Sequence, residues 1–149
     1  MTYKKHFLGI LFILLVFGMS VVGCASAPSS FQRGSSGGET SILLRDGLIF
    51  EQAFREVIFV LNRHGFEPEM MQPDVGYIRS RWTYTWNDTG KTLDLYRVRI
   101  LANFNPNRTQ LILNAEAEFY QGKSKGWVRG FDTRAIETLR NDITQVIGN

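Results

Sequence analysis

Between residues 76 and 120 the chain alternates apolar and polar residues in three successive stretches, and that period of two excludes an all-helical fold. In 76–86 the even positions Ile78, Trp82, Tyr84 and Trp86 are apolar, with Ser80 as the exception, against Arg79, Arg81, Thr83 and Thr85. In 93–104, Tyr96, Val98, Ile100, Ala102 and Phe104 alternate with Arg97, Arg99 and Asn103. In 110–120 the apolar set moves to odd numbers, Leu111, Leu113, Ala115, Ala117 and Phe119, opposite Asn114, Glu116 and Glu118. Turn residues at Asn87-Asp88-Thr89-Gly90 and Asn105-Pro106-Asn107 separate the stretches, so three antiparallel strands are expected. The change of parity predicts a register: with Phe104 facing Thr109, Val98 meets Ala115, Ile100 meets Leu113 and Arg97 meets Glu116.

One greasy sheet face needs a cover, and two helical patterns supply it. Phe50, Ala53, Phe54, Val57, Ile58 and Leu61 recur at helical spacing, with Glu51, Arg55, Glu56 and Asn62 on the other side and His64-Gly65 as the stop. Ile136, Leu139, Ile143, Val146 and Ile147 repeat the pattern between a start near Asp132 or Thr133 and a stop at Gly148. Residues 42–45 read as a first strand, Asp46-Gly47 as a turn or helix-capping pair, and 66–71 as a short edge strand because of Pro68. Residues 121–130, rich in glycine and lysine around Trp127, read as a loop. The expected fold is α+β: an antiparallel sheet of four to five strands covered on one face by two helices, in the order β-α-β-β-β-β-α.

The N-terminal region has a different character. Lys4 and Lys5 precede an uncharged apolar run over 7–19, and Val21-Val22-Gly23-Cys24 follows with the only cysteine of the chain. This resembles a bacterial lipoprotein signal with its lipobox. The resemblance implies that residues 1–23 are a cleaved signal peptide and that Cys24 carries a diacylglyceryl group and an acylated (palmitate-type) amine. With Ala25 next, it also implies a destination in the outer membrane. The apolar run from Phe7 to Val22 is sixteen residues, short of the roughly 20 that span a bilayer. Loss of Lys4 and Lys5 leaves 15 of the 17 basic residues against 14 acidic ones, so the mature chain is nearly neutral. That argues against strong capture of nucleic acid or anionic headgroups by the body as a whole. Residues 24–40, rich in Gly and Ser, are expected to be a flexible tether with a reach of roughly 20 Å. Residues 41–149 are expected to form a single α+β domain.

Catalytic patterns are sparse. Gly122-Lys123-Ser124 lacks the upstream glycine of a phosphate loop, since Ala117 occupies that place. His64 has no nucleophile or orienting carboxylate near it in sequence and reads as a helix-end cap. Glu116 and Glu118 read as partners of Arg97 and Arg99, not as a catalytic pair. No HExxH, GxSxG or metal-spaced cluster occurs, so no catalytic residue, metal or cofactor is expected. Arg79, Arg81, Arg97 and Arg99 are expected to form a basic surface on the open side of the sheet, either an ordinary solvated charged face or a candidate interaction face for protein or glycan. Because the aromatic residues alternate to the core side, that face is expected to lack the stacking platforms of a nucleic-acid binder. Trp82, Tyr84, Trp86 and Tyr96 would instead lie between sheet and helices, where they could line a cavity.

The helix ending in Leu61-Asn62-Arg63-His64-Gly65-Phe66, the strand Gly76-Tyr77-Ile78-Arg79-Ser80-Arg81-Trp82, the two long strands and the closing helix resemble the helix-grip domain of BamC-type envelope lipoproteins. The resemblance covers roughly residues 42–147 and implies one helix-grip domain and an accessory role in outer-membrane β-barrel assembly. The expected function is a lipid-anchored, non-enzymatic interaction or assembly-accessory module that faces an envelope protein. The alternative is a carrier of a hydrophobic ligand or lipid in a sheet-helix cavity.

Overall fold

The computed structural model describes residues 27–34, 38–84 and 95–149. Val21, Val22, Gly23, Cys24 and Trp86 lie outside them. The elements in chain order are β1 (Phe31–Arg33), β2 (Glu39–Leu43), α1 (Phe50–Arg63), β3 (Pro68–Gln72), β4 (Tyr77–Ser80), β5 (Thr83–Tyr84), β6 (Tyr96–Phe104), β7 (Gln110–Tyr120), β8 (Trp127–Asp132) and α2 (Thr133–Ile147). The strands form one antiparallel sheet in the order β1-β8-β7-β6-β4-β3, with β2 also on β7 and β5 also on β6. The α+β class is as expected, but the sheet has eight strands, not four to five.

Two of the extra strands come from segments whose composition suggested loop, and a third from the division of the expected 76–86 strand into β4 and β5. Gly122 and Gly126 both take positive φ (86° and 63°), and Gly126 N donates to Gly122 O at 2.8 Å. This tight turn lets 127–132 fold back on β7, from Tyr120↔Trp127 to Glu116↔Phe131, so the predicted loop is a hairpin. Phe31–Arg33, inside the segment expected to be a tether, pairs with β8 from Phe31↔Asp132 to Arg33↔Gly130. Its hold is apolar: the Phe31 ring is buried, edge-on to Tyr96 at 5.9 Å, and lies over Gly130. An aromatic ring over a strand glycine fills the space that glycine leaves empty.

The long hairpin also differs in register. Val98 pairs with Ala117, Ile100 with Ala115, Arg97 with Glu118 and Phe104 with Leu111, two residues away from the expected pairing. Asn105 accounts for the shift. Its Oδ1 accepts from Thr109 N (2.8 Å) and Gln110 N (3.1 Å), and its backbone N donates to Gln110 O at 2.9 Å. Asn105 is therefore the last rung of the ladder and not the first loop residue, and Arg108 takes φ 57° inside the turn. A shift of two keeps every side chain on its face, so the core set is unchanged.

The core lies between one sheet face and the two helices. Phe50 and Phe54 of α1 meet Phe104 at 5.2 Å and 6.1 Å between ring centres, and Ile136, Leu139 and Ile143 of α2 are buried with Leu111 and Leu113. The α1 stop is as read: Gly65 has φ 77°, and Phe66 N donates to Leu61 O at 2.9 Å, which seats the Phe66 ring in the core. Of the two roles expected for Asp46-Gly47 the pair takes the turn, and Ile49 occupies the cap with no side-chain bond. Asp132 caps α2 by accepting from Ala135 N at 2.8 Å.

Candidate functional site

The decisive local event lies between β4 and β5. Arg79 faces Leu101 and Thr83 faces Val98, so Ser80, Arg81 and Trp82 on one strand stand against only Arg99 and Ile100 on the other. One extra residue makes a β-bulge, which reverses the side-chain parity beyond it. Buried Ser80 fills the gap: its hydroxyl accepts from Ile100 N and donates to Arg81 O, both at 2.9 Å. The break in the apolar alternation at Ser80 is therefore the mark of the bulge. Trp82 and Tyr84, expected in the core, lie on the opposite, helix-free face of the sheet.

There they meet the arginines. The Arg97 and Arg99 guanidinium carbons lie 4.6 Å and 4.5 Å from the Trp82 ring centre, and Arg97 is also 4.3 Å from that of Trp127. Arg97 Nη1 donates to Tyr84 Oη at 3.2 Å. Each guanidinium is held from below by a carboxylate: Arg97 by Glu118 at 2.5 Å and 2.8 Å, Arg99 by Glu116 at 2.5 Å and 2.6 Å. Glu118 is buried and takes a second, longer contact from Arg129 at 3.4 Å. Burial works against the Arg97 charge, but its bonds to Glu118 and Tyr84 outweigh that and raise its pKa. Arg97 is thus a fixed cation with its plane set by neighbours on several sides.

Beside this stack is a groove of about 270 Å³ lined by Trp82, Arg99, Glu116, Arg129, Asn114 and Phe131, among others. Gly38 forms part of its wall because a Cβ there would lie 2.5 Å from Phe131 Cβ. The other two predicted arginines stand apart. Arg79 pairs with Glu69 of β3 at 3.3 Å, and its Nε is buried without a hydrogen-bond partner. Arg81 is an exposed bulge residue whose backbone N donates to Glu67 O at 2.8 Å. The residues expected to line an internal cavity do not meet: Trp82 and Tyr84 are on the open face, and Tyr96 is sealed in the core with its hydroxyl donating to Asp132. Burial first, then the Asp132 charge and bond, push the Tyr96 pKa far above its ordinary value.

His64 has a partner that sequence separation hid. Its Nε2 lies 2.8 Å from Asp142 Oδ2 on α2, and the same oxygen accepts from Arg63 Nη2 at 2.6 Å. The bond with His64, then that with Arg63, hold the Asp142 pKa below its ordinary value of 3.8. A carboxylate depressed on folding stabilises the native state above its unfolded pKa and loses that contribution as pH falls through the folded one. Wild type is therefore expected to melt above Asp142→Asn at pH 6, with the gap closing as pH falls below the ordinary carboxylate value. Parallel melting curves across that range would contradict the pairing.

Among the described residues there is no group of three His, Cys, Asp or Glu side chains placed to hold a metal, and no helix long and apolar enough to cross a membrane. No protein-family model matches the chain, and no curated protein is similar to it.

Proposed function

We propose that this protein is a lipid-anchored envelope lipoprotein with a helix-grip-like body, acting as a non-enzymatic interaction or assembly-accessory module through the helix-free face of its sheet. The observation that carries this reading is the reversal at Ser80–Trp82, which places Trp82 and Tyr84 beside Arg97 and Arg99 on an uncovered surface. Tryptophan, tyrosine and arginine are the residues that dominate binding energy at protein interfaces. Here Glu116 and Glu118 already fix the two arginines, and these in turn hold Trp82 and Tyr84, so a partner pays little to order them. The anchor half of the reading rests on the Val21–Cys24 resemblance.

Two variants test the halves separately. Trp82→Ala is expected to reduce partner recovery from detergent-solubilised envelopes about tenfold, the loss of one moderate interface residue, with little change in melting temperature. Undiminished recovery of a defined partner would remove the face from the account. Cys24→Ser is expected to move the protein out of the outer-membrane fraction, and unchanged fractionation would remove the anchor.

A further inference from the structure

We infer that the domain stands on the bilayer on its β1–β8 edge, with Arg33, Lys123, Lys125 and Arg129 against anionic lipid headgroups; this rests on acylation of Cys24 in the proposed function. Ala27 packs partly against the core, and Phe31 N donates to Pro28 O at 3.0 Å. Ser30 is fixed as well: its hydroxyl donates to Asp132 at 2.8 Å, and its carbonyl accepts from Thr133 N at 3.0 Å. Cys24 is three residues before Ala27. Three residues span at most about 11 Å, which replaces the roughly 20 Å reach of a fifteen-residue tether. A lipid on Cys24 therefore holds one particular edge of the body near the headgroups.

That edge has the matching charge. The mature chain is close to neutral overall, but its charges are segregated. Neither 27–34 nor 119–131 contains an aspartate or glutamate, whereas these segments carry Arg33, Lys123, Lys125 and Arg129, all exposed. Of the neighbouring acids on β7 and β8, Glu118 and Asp132 are buried and Glu116 is paired with Arg99 on the helix-free face. Lys123 and Lys125 sit in the β7–β8 turn, so the cations line both β8 and the turn that leads into it. Phe31 pairs with Asp132 and Arg33 with Gly130, so the chain enters at one end of β8 and the Lys123–Lys125 turn lies at the other; with this edge laid along the bilayer, the cations come within the roughly 8 Å over which a charge acts at physiological salt. The opposite edge is β3, five strand spacings away in the sheet order. Five spacings are about 24 Å.

The test uses the full lipidated chain in vesicles of phosphatidylethanolamine with phosphatidylglycerol, and in phosphatidylcholine alone. Acylation removes the only native thiol, so a single fluorophore can be placed at Ser124→Cys or Met71→Cys and quenched by a headgroup-borne spin label. Quenching at 124 is expected to exceed that at 71 about threefold in the anionic vesicles, since the β7–β8 turn and β3 are three to four strands apart in the sheet order, about 14–19 Å. The ratio should fall toward one when Arg33, Lys123 and Lys125 are changed to glutamine, or in phosphatidylcholine. Equal quenching at both positions in anionic vesicles, with Cys24 shown by mass to be acylated, would overturn the edge-on orientation alone. A Cys24 of unmodified mass would overturn the anchor reading and this inference with it.

Discussion

Asp132→Ala is expected to lower the unfolding free energy by about 3–4 kcal/mol, because one buried carboxylate serves three donors that no other group can satisfy. Oδ1 accepts from Ala135 N and caps α2, while Oδ2 accepts from the Tyr96 hydroxyl and from Ser30 Oγ. Loss of an N-cap costs about 1 kcal/mol, and a buried hydroxyl left without an acceptor costs about 1–3 kcal/mol more. Tyr96 is fully buried, so water cannot replace the lost partner without opening the core. Tyr96→Phe is the informative control: it removes one donor, leaves the carboxylate two others, and is expected to cost about 1 kcal/mol. Urea denaturation of the three proteins measures both differences. A loss below about 1 kcal/mol for Asp132→Ala would mean that the three bonds do not act as a unit.

Gly130→Val is expected to be comparably damaging for a purely steric reason. A Cβ at 130 would lie 2.0 Å from the Gln32 carbonyl oxygen and 2.7 Å from the Phe31 ring, both belonging to β1. Since the nearest atom is backbone, no rotamer change relieves the clash, and β1 must leave the sheet edge. Losing the burial of Phe31 costs about 2–3 kcal/mol. Hydrogen exchange should localise the damage, with amides of Phe31–Arg33 and their partners in β8 losing protection while β6 and β7 keep theirs. Uniform protection across β1 in the variant would show that the ring does not hold this strand. The result bears on the proposed orientation as well as on stability, because β1 fixes the segment that follows Cys24 in the sequence.

The strands and helices with strong periodicity were readable in the chain itself. β7 and α2 have the boundaries that alternation and capping predict, and His64-Gly65 ends α1 as its chemistry dictates. The local pattern could not decide three things. Trp82 changes face because of one inserted residue, and only Ser80, polar in an apolar row, hints at it. β8 is hidden by glycines and lysines that belong to its turn, although Trp127, Val128 and Phe131 carry enough apolar surface for a half-buried strand. Phe31 is the one large apolar side chain in a Gly/Ser-rich stretch, and its value depends on a glycine about a hundred residues later. Partners far apart in sequence, such as His64 with Asp142, leave no periodic trace.

The face reversed by the bulge was expected to be an arginine surface free of aromatic groups and is instead an aromatic-arginine cluster over two carboxylates. That difference turns a merely charged surface into one with the composition of a binding site. In-cell photo-crosslinking compares the two sides of the molecule most directly, with the probe at Tyr84 or Asn114 on the helix-free face and at Gln52 or Arg140 on the exposed sides of the helices. The account predicts a discrete adduct with one identifiable envelope protein from Tyr84 and Asn114, lost when Trp82 is changed to alanine, and none from Gln52 or Arg140. Adducts from the helix positions alone, or adducts from Tyr84 that persist without the Trp82 ring, would contradict it.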